Sequence, residues 1–223
     1  MKIYTVKLFL FFSLFIFLGC KKRNSVNVDQ DKIYTDYQVF YDSNEGKTSA
    51  KAKFLYKNAD GNALKLTGKS VVSFNDEQLS YNEKFNIYEK TFQGFVNTAK
   101  FKWMDKNKHS YSFDVKLFPL DFFYPDTLYK SIIYALKFAP PLQKSETLVL
   151  SVKPEGEGVP VIITASGEGD SLVYIYKDDL TPILSNTALL FVDRVNQYIP
   201  DEVTSAGGFI TTTYRKSQLV YIK

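Results

Sequence analysis

The chain has 223 residues, with 28 lysine and arginine side chains against 24 aspartate and glutamate side chains, and a single cysteine. Five of the basic residues lie within the first 23 positions, so the rest of the chain carries 23 basic and 24 acidic groups, a net charge of −1. A folded part this close to neutral lacks the basic footprint of a nucleic-acid-binding domain, and one cysteine excludes a disulfide within the chain.

The amino terminus has the composition of an export signal. Lys2 and Lys7 give a positive start, an apolar run covers residues 8–18, and Gly19 precedes Cys20. Crossing the hydrocarbon core of a bilayer takes about 20 apolar residues. A run of 11 residues therefore fits a secretory signal peptide better than a membrane span.

The end of this run carries a resemblance. The stretch "FLGC" at 17–20 resembles a bacterial lipobox, which implies cleavage before Cys20 and acylation of its sulfur with chains such as palmitate. Residues 1–19 are thus expected to be a lipoprotein signal peptide. The mature chain is expected in the bacterial cell envelope, anchored through Cys20 to the outer membrane.

Residues 20–31 follow the anchor and predict a flexible tether. They lack aromatic side chains and mix charged with small polar residues. Lys21, Lys22 and Arg23 stand directly beside the lipid, where each basic side chain gains about 1 kcal/mol near an anionic surface. The membrane is the one partner that these residues indicate.

Alternation of apolar and polar residues dominates the next stretch, from residue 32 to about residue 118. A period of two predicts half-buried strands, and it is clearest in "IYTDYQVFY", "SAKAKFLYK" and "HSYSFDVKL". Asp60–Gly61 and the "DKNK" at 105–108 predict turns between strands. About seven short strands are typical of a β-sandwich, so residues 32–123 are expected to form an N-terminal β-sandwich domain.

Four prolines between residues 119 and 141 interrupt this rhythm and mark the expected domain boundary. Within this segment "TLYKSIIYALKF" fits either a short helix or an entering strand. Further strand patterns follow, separated by the glycine-containing turns of "PEGEG", "SGEGD" and "AGG". Residues 124–223 are therefore expected to form a C-terminal immunoglobulin-like β-sandwich, which makes the fold class all-β with two tandem sandwiches.

The whole arrangement is similar to a broad group of Bacteroidota lipoproteins with tandem immunoglobulin-like domains. The resemblance depends on Gly19–Cys20, on "YKNADGN" followed by "SVVSFNDEQL", and on the closing hairpin "ALLFVDRVNQY…GGFITTTYRKSQLVYIK". It implies an architecture and an anchor, but no single activity.

The inventory of reactive groups is poor. His109 is the only histidine, which excludes a zinc site of two or three imidazoles. Asp76–Glu77 and Asp178–Asp179 are adjacent acids, and neighbours on a strand point to opposite faces, so both pairs predict loops. The "SGEGDS" and "EGEG" stretches lack the spacing of a calcium loop. We expect no catalytic residue, no cofactor and no metal.

A few residues remain candidates for other roles. Thr127 and Ser171 lie in triplets that resemble Bacteroidota O-glycosylation sites. Trp103 is either a core residue or a ligand-stacking aromatic. The tyrosines of "YIYK" and "LYKSIIY" are candidates to line a groove between the domains.

The sequence as a whole favours a non-enzymatic envelope lipoprotein that binds or scaffolds another envelope component. The alternatives are a surface glycan-binding module and a carboxylate-based hydrolase. Coplanar exposed aromatics would favour the first alternative, and a cleft acid with a raised pKa would favour the second. An apolar patch or an unpaired strand edge would favour a scaffold.

Overall fold

A computed structural model describes residues 23–156 and 158–223, and these residues are almost entirely β-structure without an α-helix. Two 3-10 turns, Ser25–Asn27 and Gln30–Lys32, lie near the start. The first half contains β1 (Arg23–Asn24), β2 (Ile33–Asp42), β3 (Lys47–Tyr56), β4 (Leu64–Lys65), β5 (Val71–Phe74), β6 (Glu77–Gln78), β7 (Ser80–Asn82), β8 (Ile87–Gln93), β9 (Thr98–Met104) and β10 (Ser110–Lys116). The second half contains β11 (Asp121–Phe122), β12 (Thr127–Leu128), β13 (Tyr134–Ala139), β14 (Glu146–Pro154), β15 (Val161–Ala165), β16 (Leu172–Ile175), β17 (Thr187–Tyr198) and β18 (Gly208–Ile222).

One nine-stranded sheet runs through the whole molecule, in the order β15-β14-β17-β18-β2-β3-β8-β7, with β12 also paired to β18. A four-stranded sheet, β10-β9-β5-β6, covers its first half, and a three-stranded sheet, β11-β13-β16, covers its second half. Each half is thus a sandwich of two sheets, as the sequence predicted. We call the halves the first lobe and the second lobe.

Two hydrophobic cores fill the sandwiches, and the long hairpin β17–β18 serves both. Ile210 of β18 packs in the first core, whereas Val220 and Ile222 of the same strand pack in the second. The change of core falls between Leu117 and Leu120. The C-terminal strand therefore completes the first lobe as well as its own.

The burial pattern confirms the strand predictions. Every second residue of β2 is buried from Ile33 to Val39, and the same holds for Ala50, Ala52 and Phe54 of β3. In the ambiguous segment 127–138 the strand alternative is correct. It forms β12, a turn and β13.

Residues 23–31 differ from the flexible tether that their composition predicts. β1 pairs in parallel with β4, and Ser25 and Gln30 are buried. The side-chain amide of Gln30 donates hydrogen bonds to the backbone carbonyls of Ser25 and Val28, both at 2.8 Å. Lys106 donates to the carbonyl of Val28 from the other side, at 3.2 Å. Specific polar contacts therefore hold a segment that has few apolar side chains of its own.

A buried ion pair stabilises the connection between the lobes. The side chains of Arg194 and Glu146 are 1% and 0% exposed. Arg194 Nε donates to Glu146 Oε1 at 3.1 Å and Nη2 donates to Oε2 at 2.5 Å. The guanidinium also donates to the backbone carbonyls of Pro119, Pro140 and Pro141, at 3.2, 2.8 and 3.0 Å. All five guanidinium N–H groups therefore have an acceptor.

Candidate functional site

A surface groove of the second lobe lies between β15 and β16. β15 is the edge strand of the nine-stranded sheet and β16 is the edge strand of the three-stranded sheet. The loop 166–171 joins them, so the chain passes here from one layer of the sandwich to the other. A groove of about 600 Å³ lies along this edge and is lined by residues of both strands and of the loop. We call it the β15–β16 groove.

Alternation along β16 places its tyrosines on the outside. Val173 and Ile175 are buried in the second core, and Tyr174 and Tyr176 are 43% and 54% exposed. Residues two apart on a strand share a face, so both rings stand on the outer surface. Their centroids are 6.2 Å apart and their planes differ by 22°. The two rings thus form a nearly parallel aromatic strip.

The strands beside this strip leave it uncovered. Ala135 of β13 lies opposite Tyr174 in the pairing register, and its small side chain covers little of the ring. Leu172, on the same face of β16, and Ile133, just before β13, are both exposed. Contiguous exposed apolar groups are typical of contact surfaces.

The free edge of β16 adds backbone groups to this surface. The Phe138 amide donates to the Ser171 carbonyl at 3.0 Å, which fixes the phase of the β13–β16 ladder. Because hydrogen-bonded pairs alternate in an antiparallel ladder, the N–H and C=O groups of Leu172 and Tyr174 point away from β13. They face the groove and are available to a ligand or to another strand.

The loop that closes the groove is held by its own hydrogen bonds. Gly167 N–H donates to Asp170 Oδ2 at 2.8 Å, and Gly169 N–H donates to the Leu142 carbonyl at 2.9 Å. A Cβ at position 167 would lie 2.6 Å from Asp170 Oδ2, so a side chain there would displace the Asp170 carboxylate from this turn. The "SGEGDS" stretch is therefore a turn held by hydrogen bonds, as its glycines predicted.

The predicted modification and ligand residues lie apart from one another. Cys20 and the signal peptide lie outside the described residues. Thr127 is half-buried on β12, and Ser171 is half-buried at the rim of the β15–β16 groove. Trp103 is 1% exposed and stacks on Tyr111 at 4.6 Å in the first lobe. Trp103 is therefore a core residue and offers no face to a ligand, which corrects its role as a candidate ligand aromatic.

Two of the tyrosines predicted to line an inter-domain groove line a groove inside the second lobe. The tyrosines of "YIYK" do line a groove, since they are Tyr174 and Tyr176. Those of "LYKSIIY" have another role, because Tyr134 Oη accepts a hydrogen bond from the Tyr129 amide at 2.8 Å and so holds the turn before β13. The strand pattern of "SLVYIYK" contained the signal for the strip, since it alternates buried and aromatic positions.

The adjacent acids of the first lobe act as surface ion-pair partners. Asp76 lies 2.5 Å from Lys102 Nζ, and Glu77 lies 2.6 Å from Lys90 Nζ. The hydrogen bond from Lys102 and its charge lower the pKa of Asp76. A general acid needs a raised pKa, so this environment opposes such a role.

The remaining polar candidates occupy turns. Asp179 Oδ2 accepts the Tyr176 amide at 2.8 Å, which fixes the turn after β16. His109 is exposed beside the hairpin loop, and its amide donates to Asp105 Oδ1 at 2.8 Å. Within residues 23–156 and 158–223 no three His, Cys, Asp or Glu side chains cluster as a metal site, and no helix is long and apolar enough to cross a bilayer.

No protein-family model matches the chain, and the search of curated proteins gives no significant match. Among solved structures the chain is similar to one described as "Structural insight into host cell surface retention of a 1.5-MDa bacterial ice-binding adhesin", with a TM-score of 0.24 and 11% identity. The match covers 87% of this chain and 66% of that one, just under two thirds of its length. A likeness at this TM-score carries no conclusion about function.

Proposed function

We propose that the protein is a lipid-anchored protein of the bacterial outer membrane that binds another envelope component by non-covalent contact and catalyses no reaction. The anchor is Cys20, supported by the signal-like run and the Gly19–Cys20 pair. The binding surface is the outer face of β16 with the adjoining β15–β16 groove. The observation that carries the proposal is the exposed, nearly parallel pair Tyr174 and Tyr176.

The chemistry of this surface suits recognition. Tyrosine combines a large apolar ring with a hydroxyl group and is enriched in protein contact sites. Leu172 extends the apolar strip along β16, and the free backbone groups of the same strand supply directional hydrogen bonds. The turn hydrogen bonds at Gly167 and Asp179 hold both ends of β16, so binding requires little ordering of this strand.

Site-specific crosslinking in the native envelope tests the proposal. A photo-reactive residue replaces Tyr174 in one variant and Phe85 in the control, because Phe85 is also exposed, at 58%, but lies in the first lobe. We expect a defined partner to be captured from position 174 and not from position 85. Identical background from the two positions would contradict the assignment of the surface.

Glycan capture is the second candidate, and the tyrosine pair is the observation that favours it. Two aromatic faces at 22° to one another can stack on successive sugar rings. A glycan ligand should lose roughly fivefold or more in affinity with Tyr174→Ala, since one aromatic contact contributes about 1 kcal/mol. Tyr129→Ala is the control, because Tyr129 is exposed to a similar degree but lies outside β16 and does not line the groove. A glycan array without a hit that Tyr174→Ala weakens would exclude this candidate.

A further inference from the structure

The folded body begins very close to the proposed anchor. Arg23 is already paired with Leu64 in the β1–β4 ladder. Two residues, Lys21 and Lys22, separate it from Cys20. Three residue steps span at most about 11 Å in any conformation. An acylated Cys20 therefore keeps Arg23 within about 11 Å of the lipid attachment point, and the body has little freedom to move away.

Arg23 lies at one end of the long sheet. Lys57 N–H donates to the Lys32 carbonyl at 2.7 Å, which places the start of β2 beside the loop after β3. β18 begins at the same end, with Gly208 beside Thr35, and it runs parallel to β2 towards the second lobe, where Tyr221 lies beside Thr127. The 15 residues of β18 span about 45 Å at a rise of roughly 3.3 Å per residue.

The surface around Arg23 is basic and aromatic. The Arg23 guanidinium and the Lys57 ammonium make cation–π contacts with the Tyr56 ring, each at 5.4 Å from the ring centroid. Lys69 is exposed in the loop after β4. Ser25 Oγ fixes this loop by accepting a hydrogen bond from the Thr67 amide at 3.0 Å. We call Arg23, Tyr56, Lys57 and Lys69 the entry face.

Acidic residues are also present at this end of the molecule. Asp60 lies in the loop beside the entry face, and Glu83 pairs with Lys65 at 3.0 Å. Where the β17–β18 loop meets the second 3-10 turn, the Asp31 carboxylate accepts the Ser205 amide at 2.9 Å and Lys32 Nζ lies 3.4 Å from Ser205 Oγ, so acidic and basic groups are mixed there. The three cations of the entry face, Arg23, Lys57 and Lys69, thus outnumber the one acid, Asp60, in the loop beside it.

We propose that the entry face rests on the phosphate headgroups of the membrane that holds Cys20, and that the second lobe points away from it. This inference depends on the anchor of the proposed function. Cationic side chains are attracted to an anionic bilayer surface, and tyrosine is enriched at the headgroup level of membranes. With β18 as the spacer, the far end of the second lobe lies about 45 Å from the entry face, taking the strand rise as 3.3 Å.

Headgroup quenching on the full lipidated chain in vesicles tests this orientation. The natural cysteine is acylated, so a single introduced cysteine accepts a fluorophore specifically. Ala59→Cys places the fluorophore beside the entry face, and Lys177→Cys places it in the turn after β16, at the far end. We expect headgroup-linked quenchers to reduce the emission at position 59 and to leave position 177 unchanged. Equal quenching at both positions, or stronger quenching at 177, would overturn the orientation.

A charge variant gives a second test in the Ala59→Cys background. Lys57→Glu removes one positive charge and adds a negative one. It should lower the ratio of contacting to free orientations roughly 25-fold in vesicles with anionic phospholipid, the equivalent of about 1 kcal/mol for each charge. Lys153→Glu, in the second lobe, should change nothing. Equal effects of the two variants would overturn the role of the entry face.

Flotation with the vesicles separates the two levels of the inference. The wild-type chain should float with the vesicles, and the Cys20→Ser variant should not. A chain that floats without selective quenching at position 59 overturns the orientation alone. A wild-type chain that never floats overturns the anchor, and the orientation falls with it.

Discussion

Replacing Arg194 with methionine should destabilise the protein more than replacing any surface arginine. Methionine keeps much of the buried volume but removes all five hydrogen bonds of the guanidinium. The Glu146 carboxylate then stays buried with the Gln143 amide, at 2.7 Å, as its remaining donor in the described contacts. Three proline carbonyls at the junction of the lobes lose the same partner.

The expected cost follows from this loss of compensation. Breaking a buried ion pair by removing one partner typically costs about 3–5 kcal/mol, because the other charge remains desolvated. The total stability of a domain is only about 5–15 kcal/mol. Arg194→Met should therefore remove a large share of the free energy of unfolding.

Urea unfolding of the purified chain measures this cost, and Arg215 supplies the matched control. Like Arg194, Arg215 pairs with a carboxylate, and it lies 2.6 Å from Asp193 of β17. Its side chain is 33% exposed, however. Arg215→Met should cost only about 1 kcal/mol, since solvent screens the pair. The double variant Arg194→Met with Glu146→Met should be about 1–3 kcal/mol more stable than Arg194→Met alone, because no unpaired charge stays buried.

Two results would refute this reasoning. The first is an Arg194→Met variant that unfolds at the same urea concentration as Arg215→Met. The second is a double variant that is no more stable than the single one. Either would mean that the ion pair does not compensate a buried charge.

Two further predictions concern Gly61 and Tyr88. Gly61→Ala should cost about 2–3 kcal/mol in unfolding free energy, because its Cβ would lie 1.9 Å from the Tyr56 carbonyl oxygen. Gly46→Ala, at a positive φ of 64° with open space around it, should cost only about 1 kcal/mol, and equal costs would contradict the steric argument. Burial raises the pKa of Tyr88 from 10.0 to about 12, so its contribution is complete below pH 10 and is lost as the pH rises towards 12. Tyr88→Phe should therefore flatten the fall of unfolding free energy with alkaline pH, and an unchanged slope would exclude Tyr88 as its source.

Most of the strands were predictable because half-buried strands leave a local signature. The pleat sends successive side chains to opposite faces, so β2 and β10 carry their orientation in their own residues. The Asp60–Gly61 turn and the 105–108 loop were likewise set by local chemistry. Asp105 accepts the Asn107 and His109 amides at 2.8 Å, as expected of an aspartate that opens a tight turn.

The pairing of distant strands has no local signature, so the sequence did not predict which strands are neighbours in the sheet. β18 lies beside β2 although more than 170 positions separate them, as the Thr204 to Ile33 hydrogen bond at a separation of 171 illustrates. The packing of residues 23–31 also depends on distant groups, Lys106 among them. Composition describes a segment alone and cannot report a partner elsewhere in the chain.

The candidate site divides in the same way. The outward position of Tyr174 and Tyr176 could be read from alternation, whereas the gap between β15 and β16 depends on which strands end each sheet. Arg194 had a visible signal, because it occupies the apolar face of β17 after Ala188, Leu190 and Val192. A charge on such a face requires a buried partner, but nothing local identified that partner as Glu146.

The sharing of β18 between the two cores has a consequence for how the protein matures. β2 cannot acquire its second neighbour, nor the first core its Ile210, until β18 is present. Contacts of such long range form slowly, because the chain must close a large loop first. A chain without β18 would therefore leave β2 with an open edge, and an open strand edge is a template for pairing with another chain.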